Sequence, residues 1–92
     1  MRDRPDWTFL SNHAHVIVCL AAEPDSRIRD VAGLVGVTER TVTGIIADLE
    51  EAGIVTVEKI GRRNRYRINR RARLRHGLEQ HKTVGDLLKA VS

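Results

Sequence analysis

The chain has a single cysteine, Cys19, which excludes an internal disulfide and gives no sign of an oxidising compartment. Its longest apolar run, Val16 to Ala22, is far too short to span a bilayer. The start, Met1-Arg2-Asp3-Arg4-Pro5-Asp6, is not followed by the apolar run that a signal peptide needs, so the expectation is a soluble, cytoplasmic protein with no membrane partner. No glycine-rich phosphate loop exists, and Ser11, Ser26 and Ser92 have no convincing base partner. His13 and His15 stand two apart, on different helix faces, and His76 and His81 five apart. Neither pair has a cysteine or carboxylate at dependable ligand spacing. These gaps argue against an enzyme, a resident metal and a cofactor. The apolar neighbours of Cys19 mark it as a core residue.

One absence is local. Between Lys59 and Arg75 there is no acidic residue, while Lys59, Arg62, Arg63, Arg65, Arg67, Arg70, Arg71, Arg73 and Arg75 supply nine basic ones. Met1 to Glu58 carries five Arg against ten Asp and Glu, and His76 to Ser92 balances two Lys against Glu79 and Asp86, so the formal net charge of +4 hides a strong polarity. Arg dominates the basic stretch, and its planar fork suits phosphate oxygens and groove edges. A polyanion is the first partner to test. Tyr66 is the one aromatic in the stretch and gives poor provision for stacking single-stranded bases, which argues against RNA.

At 92 residues the chain is expected to form one small domain with little room for a buried cleft. A first helix is expected over His13 to Ala22, capped by Ser11 or Asn12 and ended before Pro24. It is apolar nearly all round, so it needs cover on a second side, from Trp7, Phe9 and Leu10 or from a partner subunit. Ile28, Val31, Ala32 and Val35 form one stripe of a second helix, and Gly36-Val37-Thr38 is a joint that forces a steep crossing. A third helix, Glu39 to Ala52, buries Val42, Ile45, Ile46 and Leu49. Rotation by 100° per residue then places Arg40, Gly44 and Ala47 opposite that stripe, with Thr43 beside them. Gly44 costs a helix about 0.5–1 kcal/mol relative to Ala, so close approach of a partner explains it better than helix propensity does. A solvent face, or a glycine accommodating a neighbouring helix, is the blander alternative.

The period then changes. Ile54 to Ile60 reads as a strand, Gly61-Arg62-Arg63-Asn64 as a turn, and Arg65 to Ile68 as the returning strand, because Tyr66 and Ile68 alternate with Arg65 and Arg67. Residues 69 to 82 read as an irregular or partly helical connector. A last helix, Thr83 to Val91, has Thr83 and Asp86 as an imperfect capping box and Val84, Leu87, Leu88 and Val91 as one stripe. Too short to stand alone, it must dock. It docks either on its own domain or, as the favoured expectation, on the first helix of a second subunit.

The text Ile28-Arg29-Asp30-Val31-Ala32-Gly33-Leu34-Val35-Gly36-Val37-Thr38-Glu39-Arg40-Thr41-Val42, then Asp48 to Val55, then Gly61-Arg62-Arg63-Asn64-Arg65-Tyr66, resembles the winged helix-turn-helix of MarR- and ArsR-type regulators. The resemblance covers residues 13 to 68. It implies an α+β, mainly α fold: a three-helix core with a two-stranded hairpin wing, followed here by a short C-terminal helix. Carried over by position, it implies DNA contacts from Thr38, Glu39, Arg40, Thr43 and Gly44 in the major groove and from Arg62, Arg63 and Asn64 at the wing. The rotation argument adds Ala47, and the exposed strand face adds Arg65. Glu39 and Gly44 stand where such families often have polar side chains. The paired-Cys box frequent in metal-sensing ArsR proteins is missing, and no helix here matches the long dimerisation helices of MarR proteins.

The expected organisation is therefore an N-terminal segment 1–12, a DNA-binding domain 13–68, and a basic connector with C-terminal helix 69–92. The expected function is that of a sequence-specific double-stranded DNA-binding regulator, a homodimer paired through its first and C-terminal helices. Alternatives are a winged-helix module gripping an acidic protein and a non-specific nucleoid-type DNA binder.

Overall fold

A computed structural model describes residues 5–92; the first four residues of the expected N-terminal segment, and with them most of the start read for a signal peptide, lie outside it. The order is α1 (Asn12–Ala22), α2 (Ile28–Val35), α3 (Glu39–Glu51), β1 (Val55–Ile60), β2 (Arg63–Ile68) and α4 (Val84–Val91). Mainly helical, with one two-stranded antiparallel sheet, this is the expected winged helix-turn-helix class. Among the described residues no helix is long and apolar enough to cross a membrane.

Three of the four described helices, α1, α3 and α4, begin where side-chain oxygens satisfy free N–H groups. Ser11 Oγ accepts from Ala14 N, Thr38 Oγ1 from Thr41 N and Thr83 Oγ1 from Asp86 N. At α4 the Asp86 carboxylate returns the bond to Thr83 N at 2.9 Å, so the capping box is complete. Between α2 and α3 the chain turns at Gly36 (φ 86°), where Gly36 N and Val37 N both donate to Ala32 O.

The core lies where α1, α2 and α3 meet the inner face of the hairpin. Val16, Leu20, Val31, Val42, Ile46 and Leu49 are buried there, joined by Val55 and Tyr66 from the sheet. The α3 stripe Val42, Ile45, Ile46 and Leu49 is buried as its spacing predicts. Cys19 is half-buried against this core, and burial pushes its thiol up, which keeps it protonated.

The wing is tighter than its sequence suggests. Ile60 pairs with Arg63 and Val55 with Ile68, leaving a two-residue turn, Gly61-Arg62. Gly61 has φ 63°, and among the described residues only glycines have positive φ, the pattern of a hairpin turn with glycine first. Arg63 and Asn64, expected in the turn, are therefore strand residues. Strand alternation then puts Val55, Val57, Tyr66 and Ile68 on the core face and Thr56, Glu58, Ile60, Arg63, Arg65 and Arg67 on the other.

The C-terminal helix corrects a second expectation. Val84 and Leu88 are 1% exposed within the single chain, and α4 packs on α1 of that same chain. The stripes expected to meet across two subunits meet inside one. Residues 69 to 82 are irregular, as expected, and serve as the strap for α4: Leu74 N donates to Lys82 O, Val84 N to Ala72 O and Gly85 N to Arg70 O. Trp7 and Phe9 do not cover α1. They form an edge-to-face pair at 5.0 Å and remain 69% and 92% exposed.

Candidate nucleic-acid interface

All ten residues singled out from the sequence are exposed. Six lie on or at the start of α3, whose buried stripe fixes the roll of the helix and turns Arg40, Thr43, Gly44 and Ala47 outward. A Cβ added at Gly44 would meet nothing within 4 Å, so this glycine does not accommodate a neighbouring helix of its own chain. Thr43 Oγ1 donates to Glu39 O at 3.0 Å, which fixes its rotamer and leaves its lone pairs outward. Thr38 is occupied on both counts, accepting from Thr41 N and donating to Thr41 Oγ1. Arg40 has no hydrogen bond or ion pair to any described residue.

The acidic half of α3 is treated differently. Asp48 is bound at 2.8 Å by His13 Nε2 from the first turn of α1, which draws that carboxylate to the α1 side. The N-terminal half thus keeps a free guanidinium and a helix terminus that favours anions.

The wing arginines divide into two kinds. Arg62 at the tip and Arg67 near the base have no partner among the described residues. Arg63 and Arg65 are held by the α1–α2 turn. Arg63 Nη2 donates to Asp25 O at 2.9 Å, and Arg65 forks onto Asp25 through Nε to Oδ1 at 2.9 Å and Nη2 to Oδ2 at 3.4 Å. That fork holds the Asp25 carboxyl below the usual carboxylate range, and the carboxylate in turn pushes the Arg65 guanidinium up. A fourth bond, Tyr66 N to Pro24 O at 2.9 Å, seats the turn against the outer edge of β2.

These bonds bring the wing beside the start of α2. A cleft of about 380 Å³ is lined by Asp25, Ser26, Arg27, Ile28, Arg62, Arg63, Asn64 and Tyr66. Arg27 was visible in the sequence only as a basic residue near a helix start; the cleft gives it company. Asp25 had no sequence signal at all, since its partners stand 38 and 40 residues away. Among the described residues no group of three or more His, Cys, Asp or Glu is gathered as metal ligands would be.

A family model, the Crp-like helix-turn-helix domain, matches residues 14–76. The chain belongs to that family. The match begins in α1, takes in the helix-turn-helix and the wing, and ends in the connector before α4. A Crp-like domain is a DNA-binding helix-turn-helix of the kind that transcription regulators carry, and such domains are typically not enzymes. No curated protein matches the chain.

Proposed function

We propose that this Crp-like domain is a sequence-specific double-stranded DNA-binding regulator that works in the cytoplasm, with α3 in the major groove and the wing against phosphates or the minor groove. Arg40, Thr43 and Gly44 read base edges, with Thr38, Glu39 and Ala47 around them; Arg62, Arg63 and Asn64 bear on the backbone, joined by Arg27 across the cleft. Arg65 is the weakest member of this set because Asp25 holds it. The observation that carries the reading is the open row on α3: an Arg40 with no partner among the described residues, one turn from a Gly44 above which the space is empty.

Selection of genomic fragments retained by the protein tests the proposal. A shared motif among the retained fragments is the expected result, and retention without preference would leave only a non-specific binder. The helix-turn-helix and wing residues also resemble those of MarR- and ArsR-type proteins.

We place the homodimer contact on the face that stays apolar and open. Trp7 and Phe9 project beside a cleft of about 720 Å³ whose walls include Leu10, Ile17, Leu49, Leu74 and Leu87. Asp48, Glu51, Arg73 and Arg75 also line it, so a two-fold axis would set acids of one copy against arginines of the other. Sedimentation at micromolar concentration is expected to give a dimer that Phe9→Ser dissociates. A wild-type monomer mass would remove the dimer.

A further inference from the structure

The α1–α2 turn holds half of the wing's arginines with one residue. Of Arg62, Arg63, Arg65 and Arg67, the second donates to the Asp25 carbonyl and the third is forked on its carboxylate. Both partners of that fork remain about half exposed, at 53% for Asp25 and 52% for Arg65, and exposed ion pairs add little to stability. Their placement matters more than their strength. Asp25 lies in the wall of the cleft that also presents Arg27, Arg62, Arg63 and Asn64. Any phosphate entering that cleft meets a carboxylate among the guanidinium groups.

Binding that ignores sequence scales with the number of phosphates a protein neutralises, and each such contact steepens the salt dependence by about 0.9 unit. An acid at this position acts against it twice: it occupies the Arg65 fork, and it repels the phosphate that Arg65 would otherwise meet. Contacts from α3 to base edges are made elsewhere and are untouched by it.

We propose that Asp25 is a specificity-determining residue that withholds Arg65 from the DNA backbone and so lowers affinity for random sequence relative to the preferred site. The inference rests on the DNA-binding reading given above. Asp25→Asn keeps the shape of the side chain and removes its charge.

The experiment measures binding of the whole chain to random duplex and to a selected fragment over a range of salt, for wild type, Asp25→Asn, Arg65→Ala and the double variant. Thermal melts run alongside confirm that each is folded. Asp25→Asn is expected to bind random duplex several-fold to about tenfold more tightly at low salt, with a slope steeper by about one unit, and to lose discrimination by a similar factor. Arg65→Ala alone leaves the Asp25 carboxylate without its partner and is expected to weaken random-duplex binding, and in the double variant the slope should return to the wild-type value because the freed fork is gone. Wild-type binding with an unchanged or weakened Asp25→Asn variant overturns this inference alone. If neither protein binds duplex at low salt, the DNA reading falls and this inference with it.

Discussion

Gly85, in the first turn of α4, lies directly against Arg70 of the connector: its N–H donates to Arg70 O at 2.9 Å, and a Cβ built on it would meet that same oxygen at 3.0 Å. The contact is with backbone, which cannot swing away as a long side chain would. Gly85→Ala is therefore expected to lower stability by about 1–3 kcal/mol, although alanine is the better helix former. A thermal or urea melt with an unchanged or raised midpoint would show that the strap yields.

Gly44 makes the opposite case, because nothing of the protein lies near its missing Cβ. Gly44→Ala should raise stability by about 0.5–1 kcal/mol. Gly44→Leu should remain folded and lose binding to the selected fragment, since the bulk stands where a base edge would come. Full binding by the leucine variant would remove this part of α3 from the interface.

Arg62 and Arg40 both lack a partner among the described residues but sit on different elements, and their loss should read differently. Arg62→Ala is expected to weaken binding to every duplex and flatten the salt slope by about one unit; Arg40→Ala should instead narrow the gap between preferred and random sequence. Salt titrations on the two duplexes separate these outcomes. An unchanged slope for Arg62→Ala would take the wing tip off the DNA.

Leu88 is 1% exposed and lies on the buried stripe of α4, the helix that packs on α1. Leu88→Ala should cost about 2–5 kcal/mol at any protein concentration, because the packing it breaks lies within one chain. A loss that disappeared as concentration rose would return α4 to a contact between subunits.

Acid should weaken two turns. The Asp86 carboxyl is held below its usual range by the Thr83 backbone N–H and hydroxyl, and that of Asp25 by the Arg65 fork. A depressed carboxyl contributes stability above its unfolded pKa of about 3.9 and loses it as pH falls through the folded value. Asp86→Asn should accordingly flatten the acid limb of the stability curve and leave its neutral region parallel to wild type. Melts across pH 2 to about 7 measure this.

The helices were legible because burial repeats at their own period. Val42, Ile45, Ile46 and Leu49 announce one face of α3, and that face fixes where Arg40 and Gly44 point. The wing was legible as a hairpin but not in its length. Gly61 and Asn64 both mark turns, and only the register that aligns Val55 with Ile68 decides that Asn64 belongs to a strand. The stripe of α4 was clear, yet a stripe states that a face is buried and not which chain buries it. Asp25 was silent for a different reason. Its meaning depends on Arg63 and Arg65, brought to it by the return of a strand 40 residues later, and no local pattern carries such a pairing.

A lone hairpin ordinarily offers a neighbour a full ladder of free amides and carbonyls along its outer rim. Here Pro24 fills the rung at Tyr66 from within. Zipper-like growth of another strand along the β2 edge is interrupted at its centre.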